Sequence, residues 1–118
     1  MEKLSPTEEE AMQAVWKTGE GSVKSFLECL DVELPYTTLA STIKNLEKKG
    51  FLSSRQAGNT YIYKPLISEE KYKQNFMSGF VKEYFSNSYK EMVNFFVRQK
   101  KLSPTELKEI IDMIEKGK

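Results

Sequence analysis

Apolar positions in the first fifty residues recur at helical spacing in three stripes. Ala11, Met12, Val15 and Trp16 make the first. It follows Ser5-Pro6-Thr7-Glu8, in which Ser5 suits an N-cap, Pro6 the first helical position and Glu8 the reciprocal place in a capping box. The stripe stops at Gly19 and Gly21. Val23, Phe26, Leu27 and Leu30 make the second, behind a Ser22 cap, and Pro35 bars its continuation. Leu39, Ile43 and Leu46 make the third at i, i+4 and i+7, predicting a helix from Tyr36 to Lys49 with Gly50 just past its end. Beyond Gly50 the chain turns strand-like. Phe51–Gln56 and Thr60–Lys64 read as two strands, joined by a turn at Ala57-Gly58-Asn59 and closed by Pro65.

Three helices followed by a hairpin is the order of a winged helix-turn-helix, assigned to residues 1–66. Residues 67–118 read as a separate helical domain. Ser68 caps its first helix, with Glu69 and Glu70 at the positive end, and Tyr72, Phe76, Phe80 and Tyr84 repeat every four residues. Ser86-Asn87-Ser88 predicts a break before a helix bearing Tyr89, Met92, Val93 and Phe96. Ser103-Pro104-Thr105-Glu106 starts a last helix whose Leu107, Ile110, Ile111 and Ile114 are expected to face inward. The fold class is therefore mostly α with a small β-hairpin.

Eight of the fourteen aromatic residues lie beyond residue 65. Three short helices cannot wrap that much apolar surface, and each large side chain left wet forfeits roughly 1.5–3 kcal/mol. Two solutions exist: packing against the N-terminal domain, or a homodimer whose helices interlock. The dimer is the more economical, with Phe76, Phe80, Tyr84, Tyr89, Met92, Phe96, Ile110 and Ile114 as its expected contacts.

Composition narrows the chemistry. The 118 residues contain no His and one Cys, Cys29. That removes Ser–His and Cys–His catalysis, a His/Cys zinc site and an internal disulfide. No phosphate-cradling glycine loop or nucleophile motif occurs, so neither an enzyme nor a cofactor is expected. No apolar run reaches the ~20 residues of a membrane span, and a cytoplasmic location is expected. The net charge of +1 conceals an uneven distribution. Residues 1–35 carry three Lys against eight acids, whereas residues 36–64 carry Lys44, Lys48, Lys49, Arg55 and Lys64 against Glu47 alone. A basic middle segment behind an acidic start suggests a face that meets an anion.

With its apolar stripe turned inward, the third helix presents Thr37, Thr38, Ser41, Lys44, Asn45 and Lys48 on the other side. Small hydroxyls allow close approach to a duplex, and Lys and Asn reach base edges or phosphate. Arg55 and Asn59 lie on the wing, with Lys64 nearby. Lys48, Lys49, Arg55 and Lys64 are expected to supply affinity without sequence preference, and Thr38, Ser41, Lys44 and Asn45 to supply preference. The competing reading is a winged-helix module that docks a protein and never touches DNA, in keeping with the modest charge of the middle segment.

Leu4-Ser5-Pro6-Thr7-Glu8 before Val15-Trp16, Tyr36-Thr37-Thr38-Leu39, Leu46-Glu47-Lys48-Lys49-Gly50-Phe51-Leu52, the run Tyr61 to Glu70, Leu102-Ser103 and Glu106-Leu107 together resemble the BlaI/MecI/CopY family of penicillinase repressors. The resemblance spans almost the whole chain. It implies a homodimeric repressor of resistance or stress genes on palindromic double-stranded operator DNA. It also implies relief by cleavage in the C-terminal helices, triggered by a membrane sensor-protease. The family's Asn-Phe cleavage bond matches Asn94-Phe95 literally, while a gapless count from Leu102-Ser103 places it at Phe95-Phe96. Asn45 stands where the family often has Arg, so relatives' operator sequences do not transfer. The ending Ile114-Glu115-Lys116-Gly117-Lys118 lacks the Cys-rich tail of copper-responsive members.

Overall fold

A computed structural model describes residues 3–117. Helix α1 (Pro6–Thr18) begins with a closed capping box: the Glu8 amide donates to Ser5 Oγ at 3.2 Å and the Ser5 amide donates to Glu8 Oε1 at 2.9 Å. Ser22 caps α2 (Val23–Glu28) by accepting the Ser25 amide. Helix α3 (Tyr36–Lys48) follows Pro35, which sits at its N-cap without a side-chain hydrogen bond. Ala11, Met12, Val15, Phe26, Leu39, Ile43 and Leu46 meet in one core where the three helices converge. Each of these larger side chains contributes roughly 1.5–3 kcal/mol by leaving water.

Gly50, at φ +87°, turns the chain out of α3 in the left-handed conformation that glycine adopts without cost. The amide of Phe51 then donates back to the Leu46 carbonyl at 3.0 Å, completing a C-terminal cap. That bond consumes the amide of Phe51, and strand β1 runs from Leu52 to Ala57 rather than starting at Phe51. Strand β2 (Thr60–Pro65) pairs with it antiparallel, Ala57 opposite Thr60 and Leu52 opposite Pro65. The connection is thus only Gly58-Asn59, with Gly58 at φ +64° as a two-residue hairpin turn requires at its first position. On its other edge β2 exchanges two backbone hydrogen bonds with Gly21, at 3.0 and 2.8 Å through Tyr63. The α1–α2 loop therefore covers the open edge of the hairpin.

Helix α4 (Glu69–Phe85) is continuous, yet the chain divides into two units within it, between Asn75 and Phe76. The reason lies in what its first turn touches. Trp16 Nε1 donates to the Ile67 carbonyl at 3.0 Å, and the Tyr72 ring packs 5.5 Å from Trp16 and 6.2 Å from Phe51. Tyr72, grouped by spacing with Phe76, Phe80 and Tyr84, thus belongs to the core of the first unit. Residues 67–75 extend that unit beyond Leu66.

The second unit holds the rest of α4, α5 (Tyr89–Arg98) and α6 (Pro104–Lys116). Ser86 and Asn87, both at positive φ, make the expected break before Ser88 caps α5. Ser103 and Glu106 form a second capping box at the start of α6. A chain of rings links Tyr84, Phe80, Phe85, Phe95 and Phe96 at centroid separations of 5.0–5.9 Å. Among the described residues of this unit only Val81 is buried. The α6 stripe forms but does not face inward within the chain: Leu107 is half-buried, while Ile110, Ile111 and Ile114 are exposed.

Candidate nucleic-acid interface

Thr37, Thr38, Ser41, Lys44, Asn45 and Lys48 are all exposed on α3. At about 100° per residue they span an arc of roughly 120°, opposite Leu39, Ile43 and Leu46, which are fully buried. Thr42, at the margin, is buried and donates its hydroxyl hydrogen to the Thr38 carbonyl at 2.8 Å. Ser41 donates to the same carbonyl at 3.0 Å, which leaves its oxygen facing solvent as an acceptor. The arc is a continuous polar strip on a helix whose other side is held in the core.

The wing is tied to this helix. Ser54 on β1 donates its hydroxyl hydrogen to Glu47 Oε2 on α3. Arg55 and Asn59 are exposed, Asn59 in the turn at the tip, and Lys64 is exposed on β2. The structure therefore brings the α3 strip and the hairpin residues into one winged unit.

Two of the basic groups have acidic partners from the N-terminal segment. Lys49 Nζ lies 2.8 Å from Glu8 Oε1, and the Glu8 side chain is only 9% exposed. Burial alone would raise the Glu8 carboxyl; hydrogen bonds from Lys49 and from the Ser5 amide outweigh it and hold it below the usual carboxylate value. Lys49 thus bonds the C-cap of α3 to the start of α1, which corrects its grouping with the solvent-facing bases. The second pair joins Arg55 to Glu20, in the loop between α1 and α2, and both side chains remain open to solvent, at 64% and 44%. Sequence spacing could not reveal either pair, because the partners come together only when the loop and α1 pack beside the hairpin and α3.

In the second unit Phe76, Tyr84, Tyr89, Phe96, Ile110 and Ile114 are exposed, and Phe80 and Met92 are half-buried. Asn94, Phe95 and Phe96 all lie inside α5 and are exposed. Among the described residues no group of three or more His, Cys, Asp or Glu is placed to hold a metal ion, and no helix is long and apolar enough to cross a membrane.

Three packed helices and a hairpin, with the third helix outward on its polar side, define a winged helix-turn-helix fold. The sequence profile of the penicillinase repressor family matches residues 4–116, and the chain belongs to that family of transcriptional repressors. It is 23% identical over 116 residues to the methicillin resistance regulatory protein MecI of Staphylococcus aureus strain N315 and to that of Mammaliicoccus sciuri, covering 97% of this chain and 94% of each relative. Among solved structures it is similar to TrmBL2, an archaeal chromatin protein, with a TM-score of 0.50 and 23% identity over 98% of this chain and 40% of that one. It is also similar to BpsR of Bordetella bronchiseptica, with a TM-score of 0.49 and 15% identity over 97% of this chain and 74% of that one.

Proposed function

We propose that this chain is a sequence-specific repressor that binds a palindromic operator as a homodimer, each copy laying α3 in a major groove. The uncovered polar strip of α3, backed by a buried apolar seam, carries this reading. Thr38, Ser41, Lys44 and Asn45 would read base edges, Thr37 would contact backbone, and Lys48, Arg55, Asn59 and Lys64 would meet phosphate or the adjacent minor groove. The two recognition helices of a dimer then fall about one helical turn, or a multiple of it, apart on the duplex. The second unit supports the dimer: its exposed rings and the Ile110–Ile114 edge need a cover that the second copy supplies.

The MecI relatives are named as regulators of methicillin resistance, and control of an antibiotic-resistance determinant is the corresponding role here. Release by proteolysis fits the second unit as well. Asn94-Phe95 and Phe95-Phe96 lie within α5, so that helix must open locally before either bond can enter a protease groove in extended form. Within one chain α5 buries no residue, so the cost of opening it lies in the Phe85–Phe95 ring contact and in what the second copy covers. Selection of bound sequences from a random duplex pool tests the proposal: an inverted repeat is the expected product, and recovery of no sequence preference would end it.

A further inference from the structure

Arg55 is the wing's arginine, and in the free protein its Nη2 donates to Glu20 Oε1, which places a carboxylate against the guanidinium. We infer that Glu20 is a competitor that a DNA phosphate must displace from Arg55, so that it sets the affinity of the wing for any duplex. The inference rests on the DNA-binding reading and goes beyond it by assigning a role to an acid on the loop between α1 and α2.

The contrast with the other pair shows why this one can exchange. Glu8 is almost fully enclosed and also accepts the Ser5 amide, so removing Lys49 would strand a buried carboxylate. Glu20 and Arg55 are both open to solvent, so water can take up either charge when the pair breaks. The loop that carries Glu20 is pinned to β2 by the two Gly21–Tyr63 hydrogen bonds, which keeps the carboxylate beside the hairpin. Arg55 sits on β1 opposite Ile62 of β2, and its side chain meets the carboxylate from the loop that borders the far edge of β2.

Binding then exchanges one ion pair for another. The Arg55 contact to phosphate releases a cation from DNA, while the Arg55–Glu20 pair given up in exchange is itself weakened by salt, so the net salt dependence is shallower than for an unpaired arginine. A rival role, in which Glu20 holds Arg55 in position for phosphate, has the opposite sign on replacement.

The test measures binding of the full chain to a mixed-sequence duplex over a range of salt concentrations. Wild type is compared with Glu20→Gln, Arg55→Ala, the double variant and, as a control for net charge, Glu28→Gln. Glu20→Gln is expected to bind roughly threefold more tightly at low salt, the scale of an exposed ion pair, with a salt slope steeper by up to about one. The gain disappears in the Arg55→Ala background and exceeds that of Glu28→Gln. Unchanged or weaker binding by Glu20→Gln, or a gain that persists without Arg55 or is matched by Glu28→Gln, overturns the competitor role. Absence of salt-dependent binding by wild type would instead remove the DNA-binding reading itself.

Discussion

The two units of this chain treat apolar residues in opposite ways. In the winged unit Met12, Val15, Phe26, Leu39, Ile43, Leu46 and Leu52 are all fully buried. In the C-terminal unit α5 and α6 are at least as one-sided, and α6 even opens with the same kind of capping box as α1, yet among the described residues only Val81 is enclosed. Capping and periodicity therefore make helices in both places, but only three helices and a hairpin closing on one another make a core. The exposed edge of the second unit, with Tyr84 at 65% and Ile114 at 59%, is where a second copy is proposed to complete what one chain leaves open.

Substitutions can break this contrast, the largest effect coming from the core. Leu46→Ala should lower unfolding stability by about 2–5 kcal/mol in urea denaturation, because it opens a cavity beneath α3. An equally apolar residue in the other unit should behave differently. Ile114→Asp is expected to leave the winged unit's denaturation midpoint nearly unchanged while raising the dimer dissociation constant by roughly tenfold or more, since a charge enters an apolar seam from both copies. Analytical ultracentrifugation measures it; wild type sedimenting as a 13.7 kDa monomer would remove the dimer altogether.

A third substitution probes the buried ion pair of the winged unit. Lys49→Met should cost roughly 1–3 kcal/mol at neutral pH by leaving the Glu8 carboxylate enclosed without its ammonium partner. Glu8 is held below the usual carboxylate value in the folded state, so its contribution is complete above the unfolded-state value and is lost as pH falls through the folded one. The gap between wild type and Lys49→Met should accordingly narrow on acidification, which denaturation at a series of pH values would reveal. The remaining effects are those on DNA alone. Lys44→Ala should cost about 1–3 kcal/mol on the selected operator and little on mixed sequence, whereas Lys48→Ala should weaken both alike and reduce the salt slope by about one. Gel shifts on both duplexes separate the two roles.

Much of the winged unit was legible in the residues. Ser5-Pro6-Thr7-Glu8 marks a helix start because capping is local chemistry, and Leu39, Ile43 and Leu46 mark an inner face because the helical period is local geometry. The polar arc from Thr37 to Lys48 follows from the same period, and all six of its side chains are outward. Where spacing misled, the deciding contact was distant in sequence. Tyr72 falls in register with Phe76, Phe80 and Tyr84, but Trp16 and Phe51 claim it for the first unit. Lys49 reads as a solvent-facing base until Glu8 arrives beside it, and Arg55, which does face solvent, gains a partner in Glu20 that spacing could not show.

Chain order, helix starts, the hairpin turn and the outward face of α3 are written in segments a few residues long, where backbone preference and hydrophobic period act directly. Which charges neutralise one another, where the first unit stops along α4 and which apolar stripes stay uncovered were settled by folding, because each depends on groups dozens of residues apart meeting in space. Local sequence carries no record of such encounters.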